Sequence, residues 1–349
     1  MLRIISILFV SFVLSITRSD IYDDSWALLI GINEYKTVTP NLNYAVDDAQ
    51  DLKELLVAQF GFSENKVTIL KNQEATKYNI EKELGKLRRK TKENDRVLIF
   101  FAGHGQTYEL PEGGEMGFLL PYDSDVEDLY LSSIPMTDLK QQANTFKAKH
   151  VLFMVDACYG GLSAVGSRSL DIETPNYIER ISKDKSRQVI TAGGKGEEVV
   201  EKGEWGHSAF TMNLLRGLKG RADYNADGAI TTNELYMFLK ETVTQDSGYE
   251  QTPQTGRYTS HEGEFVFIYS DNVTINQVST NTNNESNAPS SEIDYDLLAS
   301  KIAQEMKQES APPLVPVVPS TDKEREELIL ATMDMDDIPT FLDDLLLIR

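Results

Sequence analysis

Two side chains in this sequence could together form a nucleophile and its base. Cys158 is the single cysteine of the chain and stands in DACYGG (156–161). His104 stands in FFAGHGQ, between Gly103 and Gly105, 54 positions upstream. A thiol beside an imidazole is a nucleophile with its general base, or a thiolate–imidazolium pair. The glycines after Cys158 let backbone N–H groups approach a reacting carbonyl closely. Taken alone, a cysteine at a strand end is more often a small buried apolar residue, and a lone histidine is more often structural. The pair argues for chemistry, because each follows a continuous apolar run and each has a glycine close by.

A second group, DYNADGAITTNE (223–234), has the spacing of a calcium loop. Asp223, Asn225 and Asp227 fall at positions 1, 3 and 5, Gly228 at 6 and Glu234 at 12. The loop stands alone where such loops normally pair, and a turn built on Asx side chains would use the same residues. Calcium is the expected ion here. The Cys–His chemistry requires no cofactor.

The elements that must position these residues follow from periodicity. WALLIGI (26–32), KVTIL (66–70), RVLIFFAG (96–103), HVLFMVDA (150–157), RQVITA (187–192) and EFVFIY (264–269) read as strands, WALLIGI being a continuous apolar run. Helical spacing covers 43–60, 77–92, 136–146, 208–218 and 234–244. Strands alternating with helices predict an α/β fold, a mostly parallel sheet with helices on both faces. Sites in such sheets form at the C-terminal ends of strands. His104 and Cys158 each follow a strand directly.

The chain has 349 residues, with 34 Lys plus Arg against 55 Asp plus Glu, a formal charge of −21. That surface repels nucleic acid and anionic membrane. One cysteine excludes an intramolecular disulfide framework, and 4 histidines make a His-rich metal centre unexpected.

Residues 1–19 read as a secretory signal peptide: Arg3, an apolar run from Ile4 to Ile16, then small residues before Asp20. The expected location is the secretory pathway or outside the cell, with an uncleaved anchor as the alternative. No membrane span is expected once the signal is removed. The expected globular domain runs over 24–270. Residues 271–325 form a polar linker in which 293–306 could be a short helix, and 326–349 an acidic–apolar tail.

The stretches WALLIGINEY, LNYAVDDAQDL, VLIFFAGHG, GFLLPYD, VLFMVDACYGG and GHSAFTMNLLRGL, in that order, resemble the caspase-like cysteine peptidases, which include caspases, metacaspases and paracaspases. In caspases the histidine also lies about 50 residues before the cysteine. The resemblance implies a caspase-like fold and endopeptidase activity with His104 and Cys158 as the dyad. It also implies an oxyanion hole made by the N–H groups of Gly105 and Cys158. One position departs from the caspase pattern: Asp156 stands where caspases carry Gln. Metacaspases and paracaspases are acidic there and cut after Arg or Lys. A carboxylate in the pocket favours a cationic side chain and repels Asp. Asp48 matches a second acidic pocket position of metacaspases; by itself it reads equally as a solvated helix residue.

The expected partners are therefore protein or peptide substrates with a basic residue at P1, the position before the cleaved bond. The competing functions are an inactive caspase-like scaffold and a calcium-binding interaction protein. The stretch between Cys158 and Gln188 is read as a long polar loop carrying Arg168, Arg180, Lys183, Lys185 and Arg187, a place for self-cleavage within 168–187.

Overall fold

The computed structural model describes residues 17–157, 177–194 and 196–270. The signal-peptide segment falls almost wholly outside the described residues, and the linker and the tail lie outside them from residue 271 onwards. Among the described residues, no helix is long and apolar enough to cross a membrane.

The expected parallel sheet is present. Its strands are β1 (Ser25–Gly31), β2 (Val67–Lys71), β3 (Arg96–Ala102), β4 (His150–Asp156), β5 (Ser186–Thr191) and β6 (Gln254–Arg257). Their spatial order is β6-β5-β4-β3-β1-β2. The first five run parallel to their neighbours, and β6 pairs antiparallel to β5. The central strands β3 and β4 are buried at every position, which is why they read as continuous apolar runs rather than alternating ones.

Helices cover both faces. On one face lie α1 (Ala45–Gln59), α5 (Ala209–Arg216) and α6 (Thr232–Asp246), whose Leu52, Phe210 and Leu235 pack with Leu29 and Phe100 of the sheet. On the other lie α2 (Lys77–Lys90) and α3 (Met136–Thr145), whose Leu84 and Leu139 pack with Leu28, Ile30 and Phe101. Leu28, Leu29 and Ile30 thus alternate between the two cores, as strand geometry requires.

Two expectations need correction. The run 264–269 does not join the central sheet: Val266–Ile268 pairs with Ala229–Thr231 in a separate two-stranded ladder. Its sixth strand is Gln254–Arg257 instead, a polar QTGR segment with no apolar run to announce it. The stretch before Gln188 is not all loop either. Tyr177–Lys183 forms α4, whose Tyr177, Ile178 and Ile181 pack on Ile21 and Val266. Arg187 is buried within β5, and its guanidinium donates to the carbonyls of Phe146, Ala148 and Lys149.

At the N-terminal edge of the sheet sits a buried polar knot. His150 Nε2 bonds the Asp184 carbonyl at 2.9 Å, and its Nδ1 meets the Tyr22 hydroxyl at 2.6 Å. A carbonyl can only accept, so Nε2 carries the proton and Nδ1 accepts from Tyr22. Burial holds the imidazole neutral and pushes its pKa down to about 3.

Candidate active site

His104 follows β3 by two residues, at the C-terminal end of the sheet. The pairing of Ala102 with Asp156 brings the ends of β3 and β4 level, and the Gly103 N–H donates to the Asp156 carbonyl at 3.1 Å. β4 closes with Asp156, and Ala157 after it is the last residue described before Cys158. Cys158 and its backbone N–H, the other half of the expected dyad and oxyanion hole, lie outside the described residues.

The histidine is fixed on two sides. Its Nε2 lies 2.7 Å from the Pro40 carbonyl oxygen. That oxygen can only accept, so Nε2 holds a proton and Nδ1 is the nitrogen left free of this contact. The His104 N–H donates to the Tyr35 hydroxyl at 2.6 Å, and the two rings lie 5.0 Å apart. Gly103 makes this contact possible, because a Cβ there would stand 2.6 Å from the Tyr35 oxygen.

Beside His104 opens a cavity of about 390 Å³. Gly105 lines it, and so do both expected pocket acids, Asp48 from α1 and Asp156 from the end of β4. Asp48 is delivered there by the close approach of α1 to β1: at Gly31 any Cβ would collide with the Ala45 carbonyl. Asp48 is 1% exposed and Asp156 is 3% exposed, so the solvated-helix reading of Asp48 does not hold. Glu198 and Glu201 add two further carboxylates. No Lys or Arg is among the described residues that line the cavity.

Each acid has a distinct support. Asp156 Oδ2 accepts from the hydroxyls of Ser208 at 2.5 Å and Thr211 at 2.7 Å, while its Oδ1 is buried without a partner. Asp48 Oδ1 meets His207 Nδ1 at 2.7 Å. Glu201 accepts from the backbone N–H groups of Asn43 and Tyr44, just before α1, where helix geometry favours a negative charge. Burial pushes the carboxyl groups of Asp48 and Asp156 above the usual range. The nearby Asp156 charge adds to the effect on Asp48, and hydrogen bonds from His207 and from Ser208 and Thr211 oppose it.

Sequence reasoning missed Pro40, Tyr35, Glu201, His207 and Ser208 as site residues. The segment GHSAFT marked the region of His207 and Ser208 without giving them roles. Glu201 sits in a charged hairpin, Glu201–Lys202 against His207–Ser208, where nothing in the pattern sets one carboxylate apart.

The 223–234 loop is built as a turn. Asp223 Oδ1 and Oδ2 accept from the N–H groups of Asp227 and Gly228, and Asn225 Oδ1 also accepts from Asp227. Glu234 Oε2 accepts from the Thr231 N–H and hydroxyl, closing a capping box on α6. So placed, no three His, Cys, Asp or Glu side chains among the described residues stand together as a metal ion would need. Glu234 is 2% exposed, however, and its Oε1 is buried without a partner. That unpartnered oxygen, on a side chain that feels the charges of Asp227 and Asp223, is the feature of the loop that suits a hard cation.

Residues 24–262 match the family model described as the caspase domain. The chain belongs to the caspase-domain family. Within it, 170 residues are 31% identical to Metacaspase-7 of Arabidopsis thaliana, covering 46% of this chain and 41% of that protein. Another 95-residue match, 30% identical, is to Metacaspase-1 of Eremothecium gossypii, covering 26% of this chain and 21% of that one. The chain thus spans less than half the length of these relatives. The crystal structure of caspase-1 from Spodoptera frugiperda superposes with a TM-score of 0.46 at 16% identity, over 71% of this chain and 93% of that one.

Proposed function

We propose that this caspase-domain protein is a cysteine endopeptidase that cuts after Arg or Lys, with Cys158 as nucleophile and His104 as its base. The observation that carries the specificity is the four-carboxylate cavity beside His104, with Asp48 and Asp156 in its wall. A cationic side chain entering it would meet charge that burial makes costly when unpaired. An Asp side chain would meet repulsion.

In the catalytic step, the Nδ1 lone pair of His104 takes the Cys158 thiol proton, and the thiolate sulfur attacks the carbonyl carbon of the basic residue. The imidazolium then gives a proton to the leaving amine, and water releases the acyl group. The Pro40 carbonyl holds the Nε2 proton throughout, and so fixes the ring for both transfers. The N–H groups of Gly105 and Cys158 are assigned the oxyanion.

The test is turnover of fluorogenic peptides ending in Arg, Lys or Asp. Cleavage of the basic pair, lost in Cys158→Ala, supports the reading. Equal turnover of Asp and Arg substrates overturns its specificity.

Calcium belongs to the proposal at Asp223, Asn225, Asp227 and Glu234. It would supply a structural charge there, and is not needed for the Cys–His chemistry. The spacing of the loop and the unpartnered Glu234 oxygen support it. Entry through the secretory pathway is proposed on the residue pattern of 1–19 alone.

A further inference from the structure

Two adjacent residues on one short strand hold both pocket acids. His207 bonds Asp48 and Ser208 bonds Asp156. The strand they form, His207–Ser208, pairs with Glu201–Lys202, with Ser208 opposite Glu201. Three of the four cavity carboxylates are therefore tied to one hairpin. His207 itself stands behind the cavity wall rather than lining it.

The surroundings of His207 define its protonation. Nδ1 lies 2.7 Å from Asp48 Oδ1, and Nε2 lies 3.4 Å from Asp51 Oδ2. Nδ1 donates to Asp48, and the Asp51 carboxylate within ion-pair range of Nε2 favours a second proton on the ring. Asp47, also on α1, adds to the negative field. Across the hairpin stand Glu201 and the cation of Lys202, and Asp156 faces it from β4. The hydrogen bond to Asp48 is the first cause holding the imidazole pKa above its usual value, against the opposing effect of burial.

We propose that His207 is a positioning residue: as an imidazolium it keeps buried Asp48 ionised at the cavity wall, and so sets how far down in pH the pocket recognises a cationic side chain. The inference rests on the basic-specificity reading above. The hydrogen bond and the charge of His207 both oppose the burial that raises the Asp48 pKa. Removing them moves protonation of Asp48 to higher pH, so one of the charges that would meet an arginine is lost earlier as the pH falls. The loss falls on recognition, because His207 touches neither Cys158's base nor the cavity interior.

The experiment measures inhibition by agmatine, a guanidinium cation that binds without reacting, between about pH 5 and 9. Wild type, His207→Gln and His207→Lys are compared. In His207→Gln the acid midpoint of agmatine affinity should move up by about 1–3 pH units. At about pH 6 the affinity should then be about tenfold weaker or more. KM for Arg peptides should rise in step while kcat changes little. His207→Lys, a permanent cation, should restore the low midpoint. The double variant Asp48→Asn/His207→Gln should be no worse than Asp48→Asn. Iodoacetamide alkylation of Cys158, which needs no basic side chain, should keep its wild-type pH profile in all of these.

An unchanged midpoint in folded His207→Gln overturns the inference and leaves basic specificity standing. A His207→Lys variant that stays at the Gln midpoint overturns it too, since charge would then not be the cause. Should wild type neither cleave Arg peptides nor bind agmatine, the specificity reading fails and the inference falls with it.

Discussion

The Nε2 atom of His104 lies 2.7 Å from the carbonyl oxygen of Pro40. A carbonyl can only accept, so Nε2 carries a proton and Nδ1 is the nitrogen left to act as a base in the proposed dyad. His104→Ala should lower kcat by about 10²–10⁴-fold, the range for loss of a general base. Cys158→Ala should abolish turnover, and the double variant should be little worse than the worse single one. Steady-state kinetics on an Arg peptide measures all three; activity surviving in Cys158→Ala would remove the dyad.

Asp156→Asn should keep the fold, because the amide oxygen can still accept from Ser208 and Thr211 while the NH2 takes the place of the unpartnered Oδ1. It removes one of the buried carboxylates, so kcat/KM for Arg or Lys peptides should fall by about 2–5 kcal/mol equivalent. A loss of less than tenfold with an unchanged unfolding midpoint would show that Asp156 does not face the substrate cation.

His150 gives a pH dependence of stability with a defined sign. Its folded pKa, about 3, lies below the ordinary 6.5 of histidine. The unfolded chain therefore binds the extra proton first, and the contribution is present above about pH 6.5 and lost as pH falls towards 3. The slope is at most about 1.4 kcal/mol per pH unit. Urea midpoints of wild type and His150→Gln should converge as the pH is lowered through this window. A constant difference between them would show that His150 does not titrate on unfolding.

Calcium at the 223–234 loop should raise the thermal midpoint of wild type and leave that of Asp223→Asn unmoved. Glu234 must turn its buried Oε1 to the ion while Oε2 retains the cap on α6. A midpoint indifferent to millimolar calcium would identify the loop as a turn only.

Self-cleavage in the 168–187 stretch should fall after Arg168 or after Lys185, which is exposed between α4 and β5. Arg180 and Lys183 lie within α4, and Arg187 is buried in β5. A protease needs an extended, accessible backbone, which neither helix nor inner strand offers. Sequencing of new N-termini on active protein, with Cys158→Ala as control, decides this. Cleavage after Arg187 would require β5 to leave the sheet.

The layered α/β fold and the strand ends that precede His104 and Cys158 were legible in the sequence, because continuous apolar runs and helical spacing are local signals. Strands β3 and β4 and helices α1 and α2 fall within two residues of their expected bounds for this reason. The resemblance to caspase-like peptidases supplied Asp48 and Asp156 as pocket acids, and the fold places both in one cavity. What the tertiary structure alone decided was pairing. QTGR became the edge strand because β5 offered an open ladder, and the apolar run 264–269 was drawn off to Ala229–Thr231. Glu201 became a pocket carboxylate because its hairpin folds over the start of α1, and His207 and Ser208 became supports because their strand lies across it. Those roles depend on contacts between residues as far apart as Asp48 and His207. No window of sequence contains both partners, so no local pattern could announce them.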